Sequence, residues 1–141
     1  MKKLSFLVVM VMIGVGVLLS TGPVFAHHAF ASEFDANQPV TLKGTIVKMA
    51  WTNPHGWLYI DVKGLVGKVV NWGVELGAVG ALYKRGWRRE DLPVGAEVTV
   101  QGYRARTSTP KANARDILMA DGRKLFAGSS GTGAPGDYTP Q

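Results

Sequence analysis

Apolar and polar residues alternate along much of the chain, and this period of two predicts a mainly β structure. The stretches with this pattern, or with a short run of strand-forming residues, are 40–49, 57–62, 69–75, 96–104, 117–119 and 124–126. Between the third and fourth stretches the period becomes that of a helix, and Gly86 is a suitable stop for it. This order predicts an OB-fold-like barrel of five or six strands, with one helix between strands three and four. Another small β-barrel or an incomplete sandwich is the alternative.

Several local signals refine this outline. Gly44 lies in the middle of the first strand, where it predicts a bulge or bend. Asp121 and Gly122 predict the turn of the last hairpin. Residues 107–114 are polar and predict a loop, and residues 128–141 are mostly Gly, Ser, Thr and Pro, which predicts a disordered tail.

The first 26 residues have the order and length of a secretory signal peptide. Two lysines follow Met1, residues 4–19 are almost entirely apolar, and residues 24–26 suit a cleavage site after Ala26. We therefore predict a periplasmic or secreted bacterial protein with no transmembrane segment after cleavage. An uncleaved N-terminal anchor is one alternative, and cleavage after Ala31 is another, although that site lies far from the apolar run.

The predicted mature chain is one domain, with an N-terminal arm at 27–39, a β domain at 40–127 and the tail. Phe30 and Phe34 are expected to anchor the arm against the domain. Cleavage removes two of the 16 basic residues and none of the 10 acidic ones, so the formal net charge falls from +6 to +4. This mild charge is typical of a solvated surface without a specific partner, or of contact with anionic surfaces, more than of nucleic-acid binding. The absence of cysteine excludes disulfides and lipoprotein acylation.

All three histidines of the chain lie in two places that suit a metal ion. Cleavage after Ala26 makes His27 and His28 the first two residues, which brings an α-amine, two imidazoles and backbone nitrogens together. His55 lies in a predicted turn before the second strand. Among common divalent ions, Cu(II) is held best by such nitrogen donors. The sequence therefore predicts a copper site on these three histidines and the function of a metal carrier or chaperone.

Two arrangements of this site are open. In one, the amine and imidazole of His27 bind the ion together with His55, and in the other His28 binds while His55 stays free. Additional side chains of the right chemistry, among which spacing does not choose, are Glu33, Asp35, Met49 and Glu75. The plain alternative is that the first two histidines are solvated and that His55 only hydrogen-bonds within its turn.

A binding site without metal is the main competing interpretation. OB-fold barrels bind oligosaccharides and oligonucleotides on strands two and three, where this chain has Trp57, Tyr59 and Trp72. Aromatic side chains with nearby arginines, here Arg88 and Arg89, suit an anionic glycan, another anionic polymer or an envelope protein. Predicted export argues against nucleic acid. Packing against the core would also explain the tryptophans, and a helix end would explain the arginines.

The sequence does not predict an enzyme. It has no cysteine nucleophile, and no histidine is placed as the base of a serine. The glycine-containing segment 77–80 lacks the Lys-Ser/Thr element of a phosphate-binding loop. Redox catalysis at copper would also need an open coordination position and a surface for the substrate.

The chain also resembles a known family along most of its predicted mature length. The matching segments are His27–Phe30, Glu33–Asp35, Thr52–His55, Asn71–Trp72, Glu75–Gly77, Arg85–Arg89, Gly102–Ala105 and Gly122–Phe126. They resemble those of the DUF6152 family of exported bacterial proteins of unknown function. The resemblance implies a small exported β-barrel and assigns a role to no residue.

Overall fold

The structure is a computed structural model that describes residues 30–128. Within this range the mainly β class is confirmed. The elements in chain order are β1 (Phe34–Ala50), β2 (Trp57–Lys63), β3 (Val69–Glu75), α1 (Val79–Lys84), a 3₁₀ turn (Arg89–Asp91), β4 (Glu97–Ala105), β5 (Lys111–Met119) and β6 (Lys124–Phe126). Residues 30–33, directly before β1, are also helical. The tail predicted at 128–141 lies outside the described residues except for its first position.

The strands form one sheet that closes on itself. β1 pairs antiparallel with β2 and with β4, β2 with β3, and β4 with β5. A parallel pairing of β3 with β5 completes a ring of five strands, and β6 pairs with β5 beside the ring. The ring and the position of α1 between β3 and β4 agree with the predicted order of elements. No helix among residues 30–128 is long and apolar enough to cross a membrane.

The main core fills the inside of the ring. Side chains alternate between the two faces of each strand, so Leu58 and Ile60 of β2 point inward and are fully buried, as predicted. Val100 of β4 is buried in the same way. The segment after β3 closes the core with Leu82 and Trp87, and the indole Nε1 of Trp87 donates a hydrogen bond of 2.9 Å to the Phe126 carbonyl.

A second, smaller cluster lies on the outer face of β4. Phe30 and Phe34 of the arm are buried there against Tyr103 and Ala105. The ring of Phe30 lies 5.8 Å from that of Phe34 and meets Tyr103 edge-to-face at 5.7 Å, a favoured aromatic geometry. The two phenylalanines therefore pack against the domain as predicted, but residues 34–39, predicted as part of the arm, belong to β1.

Two local predictions are wrong. The bulge expected at Gly44 lies instead at Val47, where the register between β1 and β2 shifts. Gly44 has another role: a Cβ atom there would lie 2.7 Å from the carbonyl oxygen of Asp61, so glycine permits the close approach of β1 and β2. The loop expected at 107–114 is strand from Lys111 onward, because β5 is paired on both sides and buries small residues where the core is narrow.

Candidate functional site

One end of the ring carries a paired histidine and glutamate. His55 lies in the loop between β1 and β2, and Glu75 is the last residue of β3. The Nδ1 atom of His55 contacts the Oε1 atom of Glu75. Two hydrogen bonds hold the loop in place: the Thr52 hydroxyl donates to the His55 carbonyl at 3.0 Å, and the Gly56 N–H donates to the Gly77 carbonyl at 3.1 Å. The imidazole is therefore supported by its own loop and by the end of β3.

This contact uses one ring nitrogen of His55, and the other has no hydrogen-bond partner among residues 30–128. The side chain of His55 is 39% exposed, whereas that of Glu75 is only 9% exposed. A carboxylate that accepts the Nδ1–H proton fixes the orientation of the ring and leaves the lone pair of the neutral imidazole on Nε2. Histidines that bind metals are oriented by carboxylates in this way.

Burial and neighbouring charges shift the pKa of Glu75 in opposite directions. Burial raises the pKa of Glu75 above its ordinary value, the charges of His55 and Lys111 lower it, and the charge of Glu33 raises it. A carboxyl group whose pKa is raised by folding stabilises the folded state at pH values below the ordinary pKa of that group. This contribution is lost as the pH rises through the pKa of the folded state.

Backbone contacts of Arg106 hold the arm at this end of the ring. The Arg106 N–H donates to the Glu33 carbonyl at 2.9 Å, and its Nε donates to the Ala31 carbonyl at 2.7 Å. Together with the buried phenylalanines, these bonds place Glu33 where its charge acts on Glu75. Glu33 and His55, more than twenty residues apart in sequence, thus both affect the pKa of Glu75.

Two other potential ligands predicted from the sequence, Asp35 and Met49, make different contacts. One oxygen of Asp35 accepts a 3.0 Å hydrogen bond from the Asn37 N–H, and the other accepts one of 3.1 Å from the Gln38 side chain. Met49 packs against the main core. Of the four additional candidates, the structure brings Glu33 and Glu75 to the His55 end.

A pocket of about 300 Å³ lies on the outer face of the sheet beside this pair. Trp57, the cross-strand neighbour of Glu75, forms one wall, and Tyr59 forms another. Both rings lie over Gly73, where a Cβ atom would be 3.6 Å from Tyr59 and 3.8 Å from Trp57. The remaining lining residues are Asn71, Thr109, Pro110 and Lys111. The floor of the pocket exists because residue 73 has no side chain.

Two lysines approach the aromatic walls of this pocket. Nζ of Lys111 lies 5.9 Å from the centre of the Trp57 ring, and Nζ of Lys48 lies 5.4 Å from that of Tyr59. Both distances are within the range of cation–π attraction. The pocket is therefore aromatic and positively charged at its rim.

Trp72 lies apart from the other two aromatic residues. It points to the core side of β3, packs against the main core, and has the Arg104 guanidinium 5.4 Å from its ring. The parity of the strand explains this separation, because residues 72 and 73 face opposite sides of the sheet. The structure thus brings Trp57 and Tyr59 together without Trp72.

The two arginines lie in the segment after α1 and do not line the pocket. The Arg88 guanidinium donates to the carbonyls of Trp87 at 2.7 Å and Tyr83 at 3.2 Å, which ties it to the helix end. Arg89 lies 5.7 Å from the ring of Trp51, which is stacked on Tyr83 at 5.6 Å. Arg88 satisfies backbone carbonyls, and Arg89 extends a stack of aromatic rings.

Comparison with known proteins places the chain in a family. The family of unknown function DUF6152 matches residues 16–113. The chain belongs to this family. No curated protein and no solved structure matches it. The matched range of this DUF6152 protein includes the arm, the His55–Glu75 pair and the walls and floor of the aromatic pocket.

The other two histidines of this DUF6152 protein, His27 and His28, lie outside the described residues. Within residues 30–128, no group of three or more His, Asp or Glu side chains lies close enough to hold a metal ion. A metal site at His55 therefore needs donors from elsewhere in the chain. His27 and His28 are the first two residues of the predicted arm, which is held to β4 through Phe30 and Phe34.

Five lining residues of the pocket in this DUF6152 protein are not among the site residues predicted from the sequence: Asn71, Gly73, Thr109, Pro110 and Lys111. Gly73 and Lys111 bear most on the shape and charge of the pocket. The alternation of inward and outward residues along β2 and β3 could have placed Gly73 on the outer face with Tyr59, its partner across the two strands. Lys111 had no local signal, since the parallel pairing of β3 with β5 joins segments almost forty residues apart.

Proposed function

We propose that this DUF6152 protein is an exported carrier of one copper ion, which it binds through His55 and the N-terminal His27 and His28. The observation that carries the proposal is the contact between His55 and Glu75. It fixes the imidazole at a half-exposed position and leaves Nε2 for a metal. Imidazole and amine nitrogens are donors that favour Cu(II) among the common divalent ions.

The anchored arm supports this assignment because it limits the distance that His27 and His28 must cover to reach His55. His28 precedes the buried Phe30 by two residues, so their Cα atoms are at most about 7 Å apart. Glu33 of the same arm already acts on Glu75 at the His55 end. The proposal includes cleavage after Ala26, because the free α-amine of His27 would be one of the donors.

The position of the His55–Glu75 pair favours a metal carrier over an enzyme. His55 lies in a surface loop, so an ion bound to Nε2 would be accessible to a donor or acceptor protein. Such a site suits an ion that is bound and passed on.

Copper binding is expected to depend on His55 and on its carboxylate partner. Protein exported from its own signal peptide should have the mass of a chain that begins at His27 and should retain one Cu(II) ion against a weak chelator. His55→Ala should lower the affinity at least about tenfold, and Glu75→Gln should lower it about 10- to 100-fold, as is typical when the support of a ligating histidine is lost. Native mass spectrometry with chelator competition measures both the start of the chain and the affinity.

Glu97→Gln is the matched control for Glu75→Gln. Glu97 is an exposed glutamate at the start of β4 and pairs with Thr45, so its replacement should leave copper affinity unchanged. A chain that begins at Ser32, or one that retains no copper, would refute the carrier. Equal affinities for the wild type and His55→Ala would refute the role of His55.

The pocket formed by Trp57 and Tyr59 favours a second candidate function, the binding of an anionic oligosaccharide. Aromatic rings suit the apolar faces of sugar rings, and Lys111 at the rim suits a carboxylate. The amide of Asn71, held by Asp61 at 2.8 Å, adds a polar group at the edge. The pocket lies on the face that OB-fold barrels use for oligosaccharides.

Filling the floor of the pocket should abolish this binding without unfolding the protein. Gly73→Val introduces a strand-forming side chain between the two rings, where a Cβ atom makes only ordinary contacts. The probe is an oligogalacturonide, titrated against tryptophan fluorescence. We expect saturable binding by the wild type and at least about tenfold weaker binding by Gly73→Val, a difference of about 1.4 kcal/mol.

Two comparisons separate recognition from general charge attraction. Lys111→Gln should weaken binding of the oligogalacturonide, whereas Lys43→Gln, at an exposed position on β1, should not. An uncharged malto-oligosaccharide tests whether the carboxylates are needed. A wild type whose fluorescence does not respond to the oligogalacturonide would rule out this second candidate.

A further inference from the structure

The hairpin between β2 and β3 ends in an apolar tip. Leu65 is 109% exposed and Val66 is 92% exposed relative to an extended reference, which makes them the most exposed large hydrophobic residues of the described chain. Val69, at the start of β3, adds a further apolar surface that is 49% exposed. Together these side chains form an exposed apolar patch flanked by polar residues, and such patches mark interaction sites.

The backbone of the hairpin holds this tip away from the body. The Gly67 N–H donates to the Gly64 carbonyl at 3.0 Å, which closes a four-residue turn with Leu65 and Val66 at its two central positions. The Gly64 N–H also donates to the Lys68 carbonyl at 2.8 Å. Gly67 has a φ of 78°, a value that glycine adopts without strain. The two apolar side chains are therefore presented at the apex by a closed turn.

A lysine stands on each side of the tip. Lys63 ends β2 and Lys68 precedes β3, and both are exposed. Among the described residues, neither lysine takes part in an ion pair. The nearest acidic residue in sequence, Asp61, accepts a hydrogen bond from Asn71 further down the hairpin. The tip thus combines an apolar apex with two unneutralised cations directly behind it.

We propose that this tip is a contact surface for an anionic phospholipid bilayer. Aliphatic side chains that enter the boundary between headgroups and acyl chains gain by leaving water, and lysines behind them meet the lipid phosphates. The two lysines match the charge of an anionic headgroup layer, and their long stems can lie along the apolar boundary while the ammonium groups stay in the headgroups. An apolar protein groove would need no cation on each side.

The geometry also sets the orientation of the protein on such a surface. Lys63 is the last residue of β2 and Trp57 is the first, so the tip and the His55 end are separated by the length of a seven-residue strand, about 20 Å. A bilayer at the tip would leave the other end of β2 directed away from the lipid. The proposal does not rest on copper binding, because the tip shares no residue with the His55 site.

Vesicle sedimentation of the full mature protein in the presence of EDTA tests the tip directly. Vesicles of phosphatidylcholine with about one third phosphatidylglycerol should sediment the wild type at low salt, and raised salt should weaken this binding. The double variant Leu65→Ser with Val66→Ser should lower the partition coefficient at least about tenfold. Lys63→Gln with Lys68→Gln should also lower it, with unchanged melting temperatures for both variants.

Val94→Ser is the matched control for the apolar change. Val94 is 70% exposed in the loop before β4 and has no pair of lysines beside it, so its replacement should leave the partition coefficient unchanged. Failure of the wild type to bind the anionic vesicles would overturn the proposal, as would equal losses for Val94→Ser and the tip variant. Equal binding to pure phosphatidylcholine vesicles would overturn the anionic specificity.

Discussion

Replacement of Trp87 by alanine is expected to lower the free energy of unfolding by about 3–5 kcal/mol. Trp87 is 1% exposed and is the largest fully buried side chain among the described residues. Its removal would leave a cavity where the segment after α1 closes the ring. It would also leave the Phe126 carbonyl without the 2.9 Å hydrogen bond from the indole. Since small domains are stable by about 5–15 kcal/mol, this one change would remove a large share of the total.

Urea denaturation of Trp87→Ala, followed by circular dichroism, measures this loss. The control is Trp57→Ala, since Trp57 is also a tryptophan but lies half-buried on the outer face of β2. We expect Trp57→Ala to lower the free energy of unfolding by less than half as much as Trp87→Ala. Similar losses for the two variants would contradict the role of Trp87 in closing the core.

Local sequence patterns predicted most of the fold because they depend on one strand at a time. The alternation in 57–62 placed Leu58 and Ile60 inward, and the turn chemistry of Asp121–Gly122 placed the last hairpin. The position of the helix followed from the change of period after β3. In each case the residues that carry the signal are close together in the chain, so no knowledge of tertiary contacts was needed.

The errors arose where a distant segment determined the conformation. Lys111 to Ala114 alternates polar residues with alanine, which has a low strand propensity, so the local signal for a strand is weak. The strand conformation depends on pairing with β3 and β4. Gly44 suggested a bend within β1, but its neighbour is the Asp61 carbonyl on β2. A local pattern cannot indicate how closely another strand approaches.

The site was predictable in its chemistry and not in its geometry. The sequence identified His55 and named Glu75 among several potential ligands, but it did not indicate that the carboxylate contacts Nδ1 of the imidazole. That contact depends on the end of β3 meeting the β1–β2 loop. The separation of Trp57 and Tyr59 from Trp72 depends on strand parity, which the sequence did contain. The copper site on His27, His28 and His55 stays a prediction, since two of its residues lie outside the described range.

Replacement of Gly102 by alanine is expected to destabilise the protein by about 3 kcal/mol, the upper part of the range for overpacked sites. A Cβ atom at this position would lie 2.1 Å from the Asn113 carbonyl oxygen and 3.0 Å from the Ala114 Cα atom. Both obstacles are backbone atoms of β5, so a side-chain rotation cannot relieve the clash. The two strands would have to separate at the point where their register already shifts.

Gly73→Ala is the control that isolates this clash, and urea denaturation again provides the measurement. Both glycines lie within strands, but a Cβ atom on Gly73 makes only ordinary contacts, so its replacement should change stability by less than about 0.5 kcal/mol. A loss below about 1 kcal/mol for Gly102→Ala would show that β4 and β5 separate easily. The position also bears on function, because β4 beyond Gly102 carries Tyr103 and leads to Arg106, which hold the arm. If the arm delivers the N-terminal histidines to His55, folded Gly102→Ala protein should bind copper more weakly, whereas folded Trp87→Ala protein should not.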